Sequence, residues 1–281
     1  MKFNVSSSLN YSANTDGTLI LDIKAFQSAH QVIINEELLI QPSRKFDELI
    51  SPQSGSRLVR FDMQEGETVN VSYTATVNNA WQIAAYHPSK QIGIAQLDAS
   101  VLPYLYPSRY CQCDKLARLA NNLFGKIADP FDQVLAVVEW IYQNVQYVSG
   151  STTFETSAYD TATQQIGVCK DFAHLGIALC RALDIPARYV AAYSYQLLPQ
   201  DFHACFEAYL GGQWILFDAT RLAPLNGLVK IAIGRDAAEV SVANIFGDIV
   251  LNSMAVNCEL ADDHFDPIYH LPFSHQGISY L

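Results

Sequence analysis

Between Phe172 and Leu183 the chain is apolar at every position except His174, Gly176 and Arg181. A helix apolar nearly all round has to lie inside a domain, so the rest of the chain must enclose it. Lys170, Asp171, His174 and Arg181 fall on one stripe at helical spacing, which is expected to be its single wet edge. The run before it, Thr161 to Gln165, is largely polar and ends in Gly167-Val168-Cys169. Cys169 therefore stands where a buried helix begins. Free amides and the helix dipole favour a thiolate over a thiol there. The residue is a candidate nucleophile, provided the chain supplies a base.

Residues 1–100 read as β. Val69, Val71, Tyr73, Ala75 and Val77 alternate with polar residues, as do Val59, Phe61 and Met63, the pattern of half-buried strands. Gln64-Glu65-Gly66-Glu67 between them reads as a hairpin turn. Leu19 to Ala25 and Val32 to Ile40 add strands, and the whole predicts a small antiparallel sandwich. Pro88 to Cys113 has no clean period and reads as a connector. Asp114 to Ile127 reads as a helix, and Asp129-Pro130 opens a second one running to about Tyr147. A polar loop, residues 149–165, leads to Cys169. Strands follow near Tyr189–Tyr195, Phe202–Leu210, Gln213–Asp218, Val229–Ile233 and Ile249–Leu260, with a short helix near Asp236–Val240 and an irregular tail from Ala261.

The Gly211-Gly212 pair predicts a two-residue hairpin with a definite register. If Leu210 pairs with Gln213, Cys205 lies opposite Asp218 and His203 opposite Thr220. His203, Cys205 and Asp218 then share one face, with His203 and Asp218 as diagonal neighbours. A carboxylate beside an imidazole fixes its tautomer, and an imidazole beside a helix-start thiol can hold the thiolate. Cys169, His203 and Asp218 are thus the candidate catalytic set.

These same stretches resemble a known family. Gly167-Val168-Cys169-Lys170-Asp171-Phe172-Ala173, Arg181-Ala182-Leu183-Asp184-Ile185-Pro186-Ala187-Arg188-Tyr189-Val190, His203-Ala204-Cys205-Phe206-Glu207-Ala208-Tyr209 and Trp214-Ile215-Leu216-Phe217-Asp218-Ala219-Thr220-Arg221 are similar to the core of the transglutaminase-like superfamily. Within it, the chain is most like bacterial members described as transglutaminase-like enzymes or cysteine proteases, which carry an N-terminal β domain. The resemblance implies an α+β fold: an antiparallel β-sandwich over residues 1–100, then a papain-like transglutaminase core over residues 101–281. It also implies a Cys-His-Asp triad at Cys169, His203 and Asp218. One departure is Cys205, where the family often has Trp. Nothing here resembles a calcium-binding loop.

Other residues carry less. Gln164 or Gln165 would lend a side-chain amide to an oxyanion hole, and Glu207, on the predicted face of His203, would order the site or pair with Arg188 or Arg221. Cys180 and Cys205 read as core thiols. Cys111 and Cys113 lack a partner pair at zinc-site spacing, and the tail residues Asp262, Asp263, His264, Asp266 and His270 read as solvated. No cofactor and no metal is expected. The net charge of −11, with no basic run, argues against a nucleic-acid partner. No apolar run reaches membrane-spanning length, and Met1 to Ser6 lacks the blocks of a signal peptide. The six cysteines show no regular framework, so reduced thiols in the cytoplasm are expected. The expected function is acyl transfer through a Cys169 thioester to hydrolyse a peptide or amide bond of a peptide or protein substrate. Transfer to an amine, or a peptide-binding scaffold without turnover, are the alternatives.

Overall fold

The computed structural model describes residues 1–269 and 275–280. Two four-stranded antiparallel sheets make the sandwich. One runs in the order Ile249–Leu260, Lys2–Ala13, Thr68–Asn79, Gln31–Gln41, and the other Ala243–Phe246, Gly17–Leu21, Arg57–Met63, Asp47–Ile50. Alternation decides which side chains face inward: Phe3, Val5, Leu9 and Tyr11 from one strand meet Val69, Val71, Tyr73 and Val77 from its neighbour in the core. Each such fully buried side chain contributes about 1.5–3 kcal/mol before conformational entropy is counted.

The expected hairpin at Gln64–Glu67 is not one. Arg57–Met63 and Thr68–Asn79 lie in different sheets, so the turn crosses from one layer to the other. Alternation reports that a strand has a buried face, not which strand it pairs with. Two strands from the second half of the sequence, Ala243–Phe246 and Ile249–Leu260, complete the two N-terminal sheets, with Phe3 opposite Leu260.

The third sheet has six strands, in the order Leu228–Gly234, Ala187–Ser194, His203–Leu210, Gln213–Phe217, Gln276–Ser279, Gln82–Ala85. Its last two members come from the tail read as irregular and from the end of the N-terminal β region. Both segments are short and weakly alternating, which hid them. Asp236–Val240 is a turn and not a helix. The Gly211-Gly212 hairpin has the expected register, Leu210 opposite Gln213 and Phe206 opposite Phe217. Both glycines sit at positive φ, 59° and 84°, which only glycine adopts without strain.

Of the helices α1 (Cys113–Phe124), α2 (Pro130–Asn144), α3 (Ala158–Gln164) and α4 (Cys169–Ala182), α4 and α2 pack against this sheet, and α1, α2 and α3 pack on α4. Helix α2 starts where expected, with the Asp129 carboxylate accepting the Phe131 N–H at 2.8 Å. Helix α3 lies within the stretch read as a polar loop. It starts at Ser157, whose N–H donates to Asp160 Oδ2 at 2.9 Å, a capping arrangement legible only at its first turn.

Helix α4 is the centre. Phe172, Leu175, Ile177, Ala178 and Leu179 are all buried. It comes close to the His203–Leu210 strand because position 176 has no side chain: a Cβ there would fall 2.5 Å from Phe206, whose ring is stacked on Phe217. The expected wet edge is buried instead. Asp171 and His174 are fully covered and Arg181 is 2 % exposed. The connector before α1 lies across them, with Arg181 donating to Tyr106 O, Ser108 Oγ, Ala187 O and Arg235 O, and the Tyr110 ring stacked on His174. Burial pushes the His174 imidazole down to about 3, so it is neutral and accepts the Ala237 N–H at 3.1 Å. Helical spacing finds polar residues on one stripe; it does not tell water from buried carbonyls.

Candidate active site

Cys169 is the first residue of α4 and is half-buried, the most accessible of six free cysteines. Its N–H belongs to the first turn, where the helix offers no carbonyl to receive it. Asp171 reaches back from that turn to accept the Val168 N–H at 2.8 Å, and Thr152 donates to its other oxygen at 3.1 Å. Lys170 Nζ donates to Thr153 O at 2.6 Å. These bonds fasten the loop before α3 to the helix start and fix the backbone around the thiol.

His203 and Asp218 stand at the end of the hairpin away from the glycine turn. His203 Nε2 lies 2.9 Å from Asp218 Oδ2, and Asp218 Oδ1 accepts the Thr220 N–H at 2.8 Å and the Thr220 hydroxyl at 2.7 Å. With Nε2 committed to the carboxylate, the tautomer is set and Nδ1 is left over. Nδ1 is buried and has no hydrogen-bond partner among the described residues. An unpartnered buried ring nitrogen is costly, and in a native site it marks a place for another group.

Burial alone would depress the His203 imidazole. It is nevertheless held well above its ordinary value by the charges of Cys205 and Asp218, by the bond to Asp218 and by the side chain of Cys169. Burial pushes the Cys205 thiol up to about 12, so near neutrality it is uncharged and Asp218 supplies the holding charge. Asp218 is correspondingly kept below its usual range despite its burial, by His203 and Thr220. Each partner thus favours the charged form of the other, imidazolium on His203 and carboxylate on Asp218.

The remaining candidates divide. Glu207 does not touch this group: buried, it pairs with Arg188 Nε at 2.7 Å and Lys230 Nζ at 2.5 Å. Gln164 and Gln165 are exposed, and neither side chain makes a hydrogen bond to Cys169, His203 or Asp218 among the described residues. Gln165 contributes its backbone, accepting the Gln146 N–H at 2.8 Å. Cys205 is buried, but its sulfur, a His203 nitrogen and an Asp218 oxygen lie within 4.8 Å of one another. A soft divalent ion fits such donors, although the direct His203–Asp218 bond already satisfies two of them. Asp129, Asp132 and His275 form a second such group near the start of α2, where His275 Nε2 is 2.9 Å from Asp132. In the tail, His264 and Asp266 are exposed, and His270 lies outside the described residues.

Tyr147 was not singled out by its sequence context. It forms, with Gln146, a two-residue parallel ladder against Ile166–Gly167, directly before Cys169. A strand of two residues has no detectable period, so only the structure brings it to the site.

Comparison with known proteins is consistent across the chain. Residues 1–100 match the bacterial transglutaminase N-terminal domain, and residues 117–219, which contain Cys169, His203 and Asp218, match the transglutaminase-like superfamily. The crystal structure of a protein from Cytophaga hutchinsonii, described as a candidate cysteine protease, is 48% identical, with a TM-score of 0.97, over 100% of this chain and 98% of that one. An uncharacterised protein of Mycobacterium leprae is 24% identical over 201 residues, 66% of this chain and 71% of its own. An uncharacterised protein of Mycobacterium tuberculosis is 45% identical over a shorter stretch of 53 residues, 19% of this chain and 17% of its own.

Proposed function

This chain belongs to the transglutaminase-like superfamily, and from that premise we propose that it is a thiol-dependent acyl-transfer enzyme that hydrolyses peptide or amide bonds. The observation that carries the reading is the His203 ring: one nitrogen bonded to Asp218, the other unpartnered, beside the helix that begins at Cys169.

In this mechanism the imidazolium is the counter-ion of a Cys169 thiolate. The sulfur adds to the carbonyl carbon, and the carbonyl π pair moves onto oxygen. When the C=O bond re-forms, the C–N bond breaks and the leaving amine takes the His203 proton, leaving a thioester on Cys169. Neutral His203 then removes a proton from water as the water attacks the thioester, and keeps it while the sulfur departs as a thiolate, which restores the ion pair and releases the acid. Asp218 keeps the ring in one tautomer and stabilises its charged form. Water is the acceptor in this reading because it is always present. Six free thiols support a cytoplasmic location, and no described helix is long and apolar enough to cross a membrane.

The test is iodoacetamide labelling near neutral pH, followed by comparison of newly formed peptide ends in lysate treated with wild-type protein or Cys169→Ala. Expected are one fast-labelling site at Cys169 and cleavages lost by at least about 10⁴-fold in the variant. Uniform slow labelling of all six cysteines would sink the proposal. Cys169-dependent incorporation of an added fluorescent amine, in place of new peptide ends, would assign the transamidation alternative.

A further inference from the structure

We propose that the junction between the sandwich and the six-stranded sheet holds a binding site for a compact oxyanion that carries a proton, the chemical class of dihydrogenphosphate and bicarbonate. The site is a cavity of about 110 Å³. Ser28, Gln31 and Asn79 line it from the sandwich, and Arg188, Lys230 and Tyr280 from the sheet side. A drug-sized ligand needs about 300 Å³ or more, so the occupant is small. The walls are fixed by main-chain bonds across the junction. Lys230 N–H donates to Gln31 Oε1 at 2.8 Å, and Lys230 O accepts from Gln31 Nε2 and from the Phe26 N–H, each at 2.8 Å.

Charge selects an anion. Glu207 accepts from Arg188 Nε at 2.7 Å and from Lys230 Nζ at 2.5 Å, so both of its oxygens are used. Two cations against one carboxylate leave one positive charge over, and no Asp or Glu lines the cavity among the described residues. An unbalanced charge inside a protein is costly, and a monoanion in the cavity offsets it. Arg188 also has donors to spare. Its Nε makes the one hydrogen bond that this guanidinium forms among the described residues, which leaves Nη1 and Nη2 as a planar fork for two oxygens of one ligand. The guanidinium lies over the Trp214 ring, 4.1 Å from its centroid, which restricts the plane of the fork.

Asn79 adds the requirement for a proton. It is 1% exposed, and its Nδ2 donates to Leu228 O. A carbonyl cannot donate in return, so the amide has one orientation and Oδ1 is the acceptor. Oδ1 is buried and has no hydrogen-bond partner among the described residues. An anion without a proton would leave it unpaired, whereas an O–H on the ligand satisfies it while the remaining oxygens face the cations.

Equilibrium dialysis of the full chain against radiolabelled phosphate or bicarbonate, near neutral pH, tests the site. Wild type should take up one anion per chain, and the tighter of the two is the preferred member of the class. Sulfate, which carries no proton at this pH, should compete at least about tenfold less well at equal ionic strength. Arg188→Lys keeps a cation beside Glu207 but loses the fork, and should weaken binding by about tenfold or more with an unchanged circular dichroism spectrum. Asn79→Leu should lose the preference over sulfate. Absence of saturable binding of both anions to wild type overturns the inference, as does competition by sulfate on equal terms, and neither result depends on a variant folding. Undiminished binding by folded Arg188→Lys overturns it as well.

Discussion

Two buried charge clusters lie on the strand His203–Leu210, four residues apart, and they are finished differently. At Glu207 both carboxylate oxygens are occupied, one by Arg188 and one by Lys230, and Arg188 also lies over the Trp214 ring. Lys230 ties this cluster to the N-terminal sandwich, because its backbone N–H and C=O both bond to the Gln31 side chain. At His203 the carboxylate is equally well held, but one ring nitrogen makes no hydrogen bond among the described residues. A closed network rigidifies a junction between layers, whereas an open one retains an unmet bond for a reacting group. Local sequence does not distinguish them: each is a polar residue on the same face of one strand.

The sharpest way to break the contrast is Asp218→Asn. Burial then acts on His203 without the Asp218 charge to oppose it, the imidazolium is disfavoured, and the preferred tautomer goes with it. Activity and fast labelling of Cys169 should fall by about 10³–10⁴-fold, measured as pH profiles of both. The sign of the stability change also follows. His203 is raised on folding, so its contribution is fully present below its unfolded value near 6.5 and is lost as pH climbs through the folded value. Denaturant midpoints of the wild type should decline on the alkaline side, and those of Asp218→Asn should not.

Glu207→Gln should do the reverse, costing stability while sparing turnover per folded molecule. Taking the charge away strands two cations in the interior, an effect of about 3–5 kcal/mol by urea unfolding. Burial opposes ionisation of Glu207, yet Arg188 and Lys230 hold it below its ordinary value. Its contribution is therefore present above the unfolded value near 4.3 and lost as pH falls through the folded one. Loss of activity in the folded variant, comparable to that of Asp218→Asn, would dissolve the distinction between the two clusters.

Asp22 supplies a third case, a buried carboxyl with neither kind of partner. It is 1% exposed, neither oxygen makes a hydrogen bond among the described residues, and burial raises it to about 7, slightly offset by the nearby Ser56 hydroxyl. The native state holds this proton after the unfolded chain has released it, so stability is lost as pH rises from about 4 to about 7. Asp22→Asn should flatten that decline and gain about 1–3 kcal/mol at pH 8 relative to wild type. A variant that is no more stable at pH 8 would show that Ser56 satisfies the carboxylate after all.

How much of this was legible beforehand varied with the range of the interaction. The Gly211-Gly212 register and the buried helix after Cys169 follow from periodicity and turn chemistry, which act over a few residues. So did the conjunction of His203 with Asp218. The short strands Gln82–Ala85 and Gln276–Ser279, the buried stripe through His174 and Arg181, and the position of Tyr147 were not legible. Each depends on what lies across from it, which is contributed by residues far away in the sequence. Glu207 falls between: its pairing with Arg188 was one of the options, but Lys230, donated by a strand on the far side, was not.

The strand Ile249–Leu260 has a consequence for how this protein is made. The strand Lys2–Ala13 is synthesised well before its partner, so one of its edges waits for a strand that ends at residue 260. Until then that edge offers unpaired amides and carbonyls to any neighbouring chain. Closing so long a loop is slow, and a nascent chain bears the risk of aggregation in the meantime. On the ribosome, this sheet closes only when two strands far apart in the sequence have met.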